Sequence, residues 1–220
     1  MKIPVVKNIL SANQQIADEN RRLFREKGIY VMNLMSSPGE GKTTLLEHTL
    51  RALKDDYRIG VIEGDIEDTC DSERIMAMGV AAVQINTGGA CHLDAPMIRN
   101  SFSNLPMDQL DILIIENVGN LVCPAEFDCG EHDKMTILSV TAGDDKPFKY
   151  PLMFSLSKVL FINKIDLLPY VDFDIEKAKK KCLQLSPDLT IFEVSCKDQS
   201  GLSAWFDWLK RRIALCCEKK

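Results

Sequence analysis

The chain has 220 residues, 45% of them hydrophobic and 27% charged, so it can bury a substantial core as a single α/β domain. The net charge is −5 and no basic stripe interleaves with aromatic residues, which argues against a nucleic-acid partner. No apolar run approaches about 18 residues and the N-terminus turns polar at once. We therefore expect neither a membrane partner nor a signal peptide, and a cytoplasmic location. Eight cysteines are many for a reducing compartment and favour metal binding over disulfides.

The apolar periodicity predicts an N-terminal helix over Asn8–Arg25 and then strands that alternate with helices. We expect residues 1–28 to form a helical extension that docks on a domain of residues 29–220. Apolar strands bounded by helices favour an α/β fold, a mainly parallel sheet covered on both faces, with ligands at the C-terminal strand ends. The predicted strands are Ile29–Met35, Arg58–Glu63, Val80–Asn86, Asp111–Glu116, Met135–Thr141, Lys158–Asn163 and Thr190–Ser195. The predicted helices after the first strand are Thr43–Leu53, Asp71–Met78, Ala95–Asn104, Asp174–Leu185 and Gly201–Leu215.

A glycine-rich stretch, Ser36–Thr43, joins the first predicted strand to a helix, as in a phosphate-binding loop. Backbone N–H groups of such a loop surround phosphate oxygens, and the helix N-terminus adds positive potential. We expect Lys42 to reach the β- and γ-phosphates and the Thr43 hydroxyl to bind Mg²⁺. Ser36 stands where the usual pattern has glycine, so the copy is imperfect. The predicted nucleotide contacts in this loop are Gly39, Glu40, Gly41, Lys42, Thr43 and Thr44.

The sequence Asn-Lys-Ile-Asp at 163–166 ends a later apolar strand and predicts guanine as the base. The Asp166 carboxylate can accept hydrogen bonds from N1–H and N2–H₂ of guanine, whereas adenine has no matching donors. A chance match is common, but its position after a phosphate-binding loop favours GTP. After the last strand, Ser195-Cys196-Lys197 is similar to a second base-contacting loop, in which Lys197 would cover the guanine face. The predicted base contacts are Asn163, Lys164, Asp166, Ser195, Cys196 and Lys197.

Two further strand ends supply carboxylates. Glu63-Gly64-Asp65 ends the second strand, where a carboxylate can face Mg²⁺, although a plain strand-ending turn is the simpler interpretation. An apolar strand ending in Glu116-Asn117-Val118-Gly119 is similar to the D-x-x-G segment of GTPases, with Glu116 in place of aspartate. We expect Glu116 to bind Mg²⁺ directly or through water and the Gly119 N–H to contact the γ-phosphate. The predicted catalytic residues are Lys42, Thr43, Asp65 and Glu116, with Glu67, Asp68 and Asp71 as competitors of Asp65.

A cysteine–histidine set follows two of the strands. Cys91 and His92 come after Gly88-Gly89, which would permit a bent loop, and Cys123 follows the Gly119 segment. One imidazole and two thiolates suit Zn²⁺ or square-planar Ni²⁺, but a fourth ligand must come from water or a second subunit. The alternative is that these cysteines are small buried hydrophobes. Cys129, Glu131 and His132 offer another ligand, although a solvated loop is the simpler interpretation. Residues expected to be structural or incidental are His48, Cys70, Cys182, Cys196, Cys216 and Cys217.

Together these segments closely resemble the hydrogenase nickel-incorporation GTPases, the HypB family of metallochaperones, over almost the whole chain. The matching segments are 33–46, 63–67, 84–94, 116–124 and 145–151, of which Cys-His at 91–92 and Asn-Leu-Val-Cys-Pro at 120–124 are the specific ones. The resemblance implies a P-loop NTPase fold, slow GTP hydrolysis to GDP with Mg²⁺, and Ni²⁺ or Zn²⁺ on Cys91, His92 and Cys123 at a homodimer interface. It also implies nickel delivery during [NiFe]-hydrogenase maturation, with a companion nickel metallochaperone and the hydrogenase large-subunit precursor as partners.

Two departures from the family and two alternative functions follow from the same segments. Glu40 replaces a usual small residue, so we expect a negative charge beside the phosphates. The cysteine- or histidine-rich extension of some members is absent, so storage of many nickel ions is not expected. The similar urease accessory GTPases have Cys-Pro-His where this chain has Ala90-Cys91-His92, which favours the hydrogenase interpretation. A non-catalytic regulator or metal-storage protein that retains the GTPase fold is the second alternative. No glutamine or arginine is evidently placed to orient the attacking water.

Overall fold

Seven parallel strands form the sheet, in the order β3-β2-β4-β1-β5-β6-β7. The computed structural model describes residues 5–65 and 70–217. The strands are β1 (Tyr30–Ser36), β2 (Ile59–Asp65), β3 (Ala81–Asn86), β4 (Ile112–Glu116), β5 (Asp133–Ser139), β6 (Val159–Asn163) and β7 (Thr190–Glu193). The helices are α1 (Val5–Lys27), α2 (Lys42–Leu53), α3 (Cys70–Met76), α4 (Ala95–Ser101), α5 (Cys123–Glu126), α6 (Lys146–Lys149), α7 (Pro151–Leu156), α8 (Ile175–Leu185) and α9 (Leu202–Cys217). Turns of 3₁₀-helix cover Phe102–Asn104 and Ile165–Tyr170.

The central strands are buried on both faces because their sequences are almost continuously apolar. Every residue of β1, β4 and β6 is buried, whereas the edge strands β3 and β7 are only half-buried. This distribution is typical of a parallel sheet between two helical layers. Strands β2, β3 and β4 lie on one side of β1, and strands β5, β6 and β7 lie on the other, so the strand order reverses at β1. Ligands of such sheets bind outside the C-terminal strand ends at that point.

Helices cover both faces of the sheet. On one face, α2 and α9 pack over β1, and the fully buried Trp205 of α9 donates through Nε1 to Thr49 Oγ1 of α2 at 2.9 Å. On the other face, α1 and α4 pack together over β4, with Phe24 fully buried, and α7 and α8 cover β5 and β6. Among the helices of the described ranges, none has the length and apolar character needed to cross a membrane.

The predicted α/β fold class is confirmed, and each predicted strand lies within two residues of an observed one. The N-terminal helix is longer than Asn8–Arg25, and the predicted helix Ala95–Asn104 ends as a 3₁₀ turn. Helices α5, α6 and α7 were not predicted, because none exceeds six residues and such short segments carry no periodicity. Glu67 and Asp68 lie outside the described residues. The side chains of Cys70, Asp71 and Cys217 lie outside them too.

Gly201, at the turn between β7 and α9, is expected to tolerate no side chain. Its φ is +75°, and a Cβ there would lie 2.0 Å from the carbonyl oxygen of Glu193 in β7. Gly79 is the matched control, because its φ is +77° but a Cβ would meet nothing within 4 Å. Gly79→Ala should cost about 1 kcal/mol of unfolding free energy, and Gly201→Ala at least about twice that, since a strand carbonyl cannot move aside. Urea unfolding of both variants measures the difference, and equal losses would contradict the packing at Gly201.

Candidate nucleotide and metal sites

The predicted phosphate loop and base loop are hydrogen-bonded to each other. Asn163 Nδ2 donates to the Glu40 carbonyl at 2.8 Å, and Lys164 Nζ donates to the Gly39 carbonyl at 2.6 Å. Gly41 permits this approach, because a Cβ there would lie 2.5 Å from Asn163 Nδ2 and its φ is +93°. Helix α2 begins at the next residue, Lys42, so its free N–H groups face the loop. The two predicted motifs therefore form one rigid frame.

Glu116 is the carboxylate at the centre of the phosphate cleft. It is 1% exposed, and its Oε1 accepts a hydrogen bond from Thr43 Oγ1 at 2.8 Å and lies 3.2 Å from Lys42 Nζ. Its Oε2 is buried without a hydrogen-bond partner among the described residues. A buried carboxylate oxygen left over beside a hydroxyl is suited to a hard cation such as Mg²⁺. The structure thus brings together three of the four predicted catalytic residues, Lys42, Thr43 and Glu116.

Asp65, the fourth, lines the same cleft of about 540 Å³, and so does Glu63, which sequence reasoning did not select. Glu63 pairs in register with Glu116 on the neighbouring strand and is 3% exposed. Its position two residues before Asp65 on one strand was the available signal. Gly119, the expected γ-phosphate contact, packs so closely on Pro38 that a Cβ would lie 3.1 Å from the proline ring. The cleft therefore has the phosphate loop on one side and acidic strand ends on the other.

One expectation for the cleft is corrected. The Glu40 carboxylate is buried and its Oε2 accepts from Ser139 N at 2.7 Å, so the negative charge does not line the cleft beside the phosphates. Burial raises the pKa of this carboxyl above its usual value. An arginine does line the cleft, Arg74 of α3, but its ion pair with Glu47 at 2.6 Å holds it at the wall, so the expectation that no arginine is placed to orient the attacking water stays a prediction. Its distance from the phosphate loop along the chain hid it from sequence reasoning.

Most of the predicted base contacts line a cavity of about 420 Å³ beside the predicted phosphate loop, and Asp166 is in its wall. Ser195 Oγ donates to Asp166 Oδ1 at 2.7 Å and accepts from Lys197 N at 3.2 Å, so Ser195 orients the carboxylate and holds the second loop. His48 of α2 lies 2.8 Å from the Cys196 carbonyl and supports that loop from behind. The cavity is lined by Gly41, Thr44, Asn163, Lys164, Asp166, Leu167, Cys196 and Lys197.

The predicted metal ligands form one cluster. One donor atom from each of Cys91, His92 and Cys123 lies within 4.8 Å of the others, and the two sulfur atoms are 2.7 Å apart. Cys91 and His92 leave β3 through the left-handed Gly88 and Gly89, as the bent loop required. Cys123 begins α5, beyond the Gly119 loop. This is the sole group of three or more candidate ligands found among the described side chains.

The surroundings of this cluster keep the imidazole ready to bind a metal but favour the protonated form of one thiol. Burial lowers the pKa of His92, so its imidazole is neutral near pH 7 and able to ligate. Contact with the Cys91 thiol, and then burial, raise the pKa of the Cys123 thiol. The His92 ring stacks on Phe127 with 3.8 Å between centroids, and Asn120 Nδ2 lies 3.6 Å from Cys123 Sγ. One ring and one amide thus fix the orientations of two donors.

The additional ligands considered from sequence do not join the cluster. Cys129 is fully buried and its thiol donates to the Leu93 carbonyl, and Glu131 forms an ion pair with Lys134 at 3.1 Å. His132 accepts from Val31 N through Nδ1 at 3.0 Å. These residues are part of the packed interior rather than a solvated loop. Three of the other cysteines pack as expected. Burial raises the pKa of the Cys182 thiol to about 12, and Cys196 and Cys216 are partly buried against the core.

A parallel sheet with a glycine-rich loop between β1 and α2 makes this a P-loop nucleotide-binding protein. Residues 30–193 match the family described as CobW/HypB/UreG, nucleotide-binding domain. The chain is 48% identical over 203 residues to the hydrogenase maturation factor HypB of Escherichia coli (strain K12), across 92% of this chain and 70% of the relative. It therefore belongs to the CobW/HypB/UreG family, and within it to the HypB proteins.

Two further relatives extend the comparison. The hydrogenase/urease maturation factor HypB of Helicobacter hepaticus is 43% identical, across 96% of this chain and 88% of the relative. The crystal structure of HypB from Helicobacter pylori in complex with nickel superimposes with a TM-score of 0.87 at 40% identity, across 92% of this chain and 95% of that one.

Asp166 is expected to determine the choice of base. Asp166→Asn should weaken GTP binding by at least about 100-fold, because a site built for paired hydrogen bonds rejects a base that leaves them unpaired. The same variant should bind xanthosine triphosphate more tightly than the unaltered protein does, because the C2 carbonyl of that base can accept a hydrogen bond from the new amide. The exposed Asp172, just beyond the same segment, provides the control Asp172→Asn, which should change neither affinity. Equal competition of ATP and GTP for the unaltered protein would overturn the assignment.

Nickel affinity is expected to depend on Cys123 and on pH. Cys123→Ala should raise the nickel Kd by more than about 100-fold, whereas Cys182→Ala, in the core, should leave it unchanged. Ligation needs thiolates, and the pKa of Cys123 is raised, so its thiol is protonated at neutral pH. Below the thiol pKa, each thiol that must lose a proton on binding should therefore lower the nickel affinity about tenfold for each pH unit of acidification. Nickel titration of the three proteins between about pH 6 and 8 measures both effects. Equal losses at the two cysteines would argue against the cluster.

Proposed function

We propose that this chain hydrolyses GTP and delivers nickel during [NiFe]-hydrogenase maturation, with metal transfer controlled by the nucleotide. The observation that carries this proposal is the position of Cys123. Only Asn120, Leu121 and Val122 separate it from Gly119, the expected γ-phosphate contact. A loop that moves when the γ-phosphate is lost would therefore move a metal ligand directly. The HypB membership of the chain and the nickel complex of a structural relative support the same function.

The phosphate cleft has the groups needed for phosphoryl transfer to water. Lys42 supplies a fixed positive charge for the β- and γ-phosphates, and the loop N–H groups hold them in place. Thr43, Glu116 and Asp65 are oxygen donors that fit Mg²⁺, and the unpartnered Oε2 of Glu116 supports this assignment. Bound Mg²⁺ would neutralise the charge that develops on the phosphate oxygens. The ion pair between Arg74 and Glu47 holds a guanidinium at the cleft wall, so a role for Arg74 requires that it turn towards the phosphates. Slow intrinsic hydrolysis is consistent with that arrangement.

The metal cluster is suited to a transported ion rather than a permanent one. One nitrogen and two sulfur donors bind Ni²⁺ or Zn²⁺, and three ligands leave the coordination sphere open. A second copy of the chain can complete it, and we propose a GTP-dependent homodimer that meets at this cluster. The proposed partners for receiving and supplying nickel are the hydrogenase large-subunit precursor and a companion nickel metallochaperone, in the cytoplasm.

A role in urease maturation is a second candidate. The relative from Helicobacter hepaticus is called a hydrogenase/urease maturation factor, so the two roles can belong to one HypB protein. The direct succession of Ala90, Cys91 and His92, without an intervening proline, favours hydrogenase. A non-catalytic regulator with the same fold is separated from both by single-turnover GTP hydrolysis. That activity should be measurable in the unaltered protein and absent in Lys42→Ala, with circular dichroism to show that the variant is folded.

The nickel-delivery proposal is tested by light scattering and nickel titration with GDP and with a non-hydrolysable GTP analogue. The analogue should give twice the monomer mass, and nickel affinity should differ about 5- to 150-fold between the two nucleotide states. Lys42→Ala is the control, because neither change should occur where the phosphates are not held. The same mass and the same nickel affinity with both nucleotides would leave a GTPase and a metal site with no functional connection.

A further inference from the structure

The side chain of Asn117 contacts both the nucleotide segment and the metal segment. Asn117 follows β4 directly and is fully buried. Its Oδ1 accepts hydrogen bonds from the backbone N–H groups of Leu93 and Val118, both at 3.0 Å. Leu93 is the residue after the metal ligand His92, and Val118 precedes Gly119. One oxygen atom therefore joins two loops. One is the loop that carries Cys91 and His92, which is the first metal-bearing segment, and the other is the loop expected to contact the γ-phosphate.

Asn117 is itself held from the central strand. Its backbone N–H donates to the Leu34 carbonyl of β1 at 3.0 Å, and its Nδ2 donates to Asn33 Oδ1 at 3.2 Å. Strand β1 leads into the phosphate loop, so Asn117 is anchored to the most rigid part of the nucleotide site. The two N–H groups that its oxygen accepts belong to loops. The Asn117 backbone is thus anchored to β1, while its side-chain oxygen is shared by the two loops.

The same asparagine is connected through buried polar side chains to the second metal-bearing segment, which is α5 with Cys123 at its start. Asn33 Nδ2 donates to Glu131 Oε1 at 3.2 Å, and Glu131 forms the ion pair with Lys134. The Lys134 ammonium donates to the carbonyls of Pro124 and Phe127, at 3.2 Å and 3.0 Å. Pro124 lies in α5 directly after Cys123, and Phe127 stacks on His92. Both metal-bearing segments are therefore supported by hydrogen bonds that lead back to Asn117.

We propose that Asn117 is the positioning residue that couples the bound nucleotide to the metal cluster. This inference rests on the proposed function and adds to it the residue that transmits the change. An amide oxygen has two lone pairs and can accept one hydrogen bond along each. Asn117 Oδ1 already accepts two, from Leu93 and Val118. Movement of the Val118–Gly119 segment with the γ-phosphate either pulls the Val118 N–H away from Asn117 Oδ1 or turns the Asn117 side chain with it, and either change alters the hydrogen bond that the same oxygen accepts from Leu93. Because the site is buried, weakening that bond costs free energy, so the two nucleotide states differ in the strength of the Leu93 hydrogen bond and in the position of the His92 loop.

The test compares Asn117→Ala with Asn20→Ala. Asn20 is an equally buried asparagine that donates to the carbonyls of Ala95 and Cys129, just beyond the two metal-bearing segments, and among the described residues it has no hydrogen bond to a nucleotide loop. For each protein, the Kd of nickel chloride is measured with GDP and with the non-hydrolysable GTP analogue. The ratio of the two constants should be about 5 to 150 in the unaltered protein and in Asn20→Ala, and within about twofold of one in Asn117→Ala.

The outcomes separate the two proposals. A ratio that persists in Asn117→Ala would overturn the role of Asn117 and leave the proposed nucleotide control intact. A ratio of one in the unaltered protein would overturn both. Nucleotide affinity measured with and without nickel must give the same ratio, because coupling between binding sites is reciprocal.

Amide hydrogen exchange of the unaltered, metal-free protein gives a second test that does not depend on whether Asn117→Ala folds. The Leu93 amide should exchange at rates that differ by at least about tenfold between the GDP and analogue states. The Ala95 amide, which donates to Asn13 of α1 at 2.8 Å, is the internal control and should change by less than about twofold. Equal protection of Leu93 in both states would overturn the inference.

Discussion

The parallel pairing of β1 with β4 brings the two chemical sites of this protein together. Leu34 of β1 pairs with Glu116 of β4, and the Asn117 N–H continues the ladder to the Leu34 carbonyl. Because parallel strands end at the same edge of the sheet, the phosphate loop after β1 and the Glu116 carboxylate face each other. Thr43 and Lys42 can then contact Glu116, and α5, which carries Cys123, starts from the same edge. A shift of one residue in this pairing would turn Glu116 to the other face of the sheet, away from Thr43 and Lys42. It would also displace the start of α5 and with it Cys123.

Buried glutamates around the phosphate loop have different physical roles. Burying a carboxylate is costly unless its oxygens find partners. The Glu40 carboxylate receives the Ser139 N–H and so ties the phosphate loop to the end of β5. The Glu131 carboxylate is held by Lys134, Asn33 and the Cys129 N–H. Glu40 and Glu116 each keep one buried oxygen without a hydrogen-bond partner among the described residues, but of the two it is Glu116 that lines the cleft, beside the Thr43 hydroxyl, where a cation could be bound.

The parts that could be predicted from sequence are those whose chemistry is local. The phosphate loop, the Asn-Lys-Ile-Asp segment and the Cys-His pair each place their functional groups within a few residues, and apolar strand runs place them at one sheet edge. Long-range partners could not be predicted. Nothing near Glu40 in sequence shows that its side chain turns towards Ser139, and Arg74 reaches the cleft only through the packing of α3. The role of Asn117 depends on Leu93 and Asn33, which lie on separate elements, so spacing along the chain does not reveal it.

Helix α1 has a consequence for where the protein can be divided. The family match begins at residue 30, yet the packing does not divide there. Asn13 accepts from the Ala95 N–H, Asn20 donates to the carbonyls of Ala95 and Cys129, and the Phe24 ring is fully buried against Phe102. These groups would face water or remain unsatisfied if the helix detached. The helix therefore supports the chain just beyond His92 and just beyond α5, and any ligand or protein that loosened it would act on the candidate metal cluster through these contacts rather than through the phosphate loop.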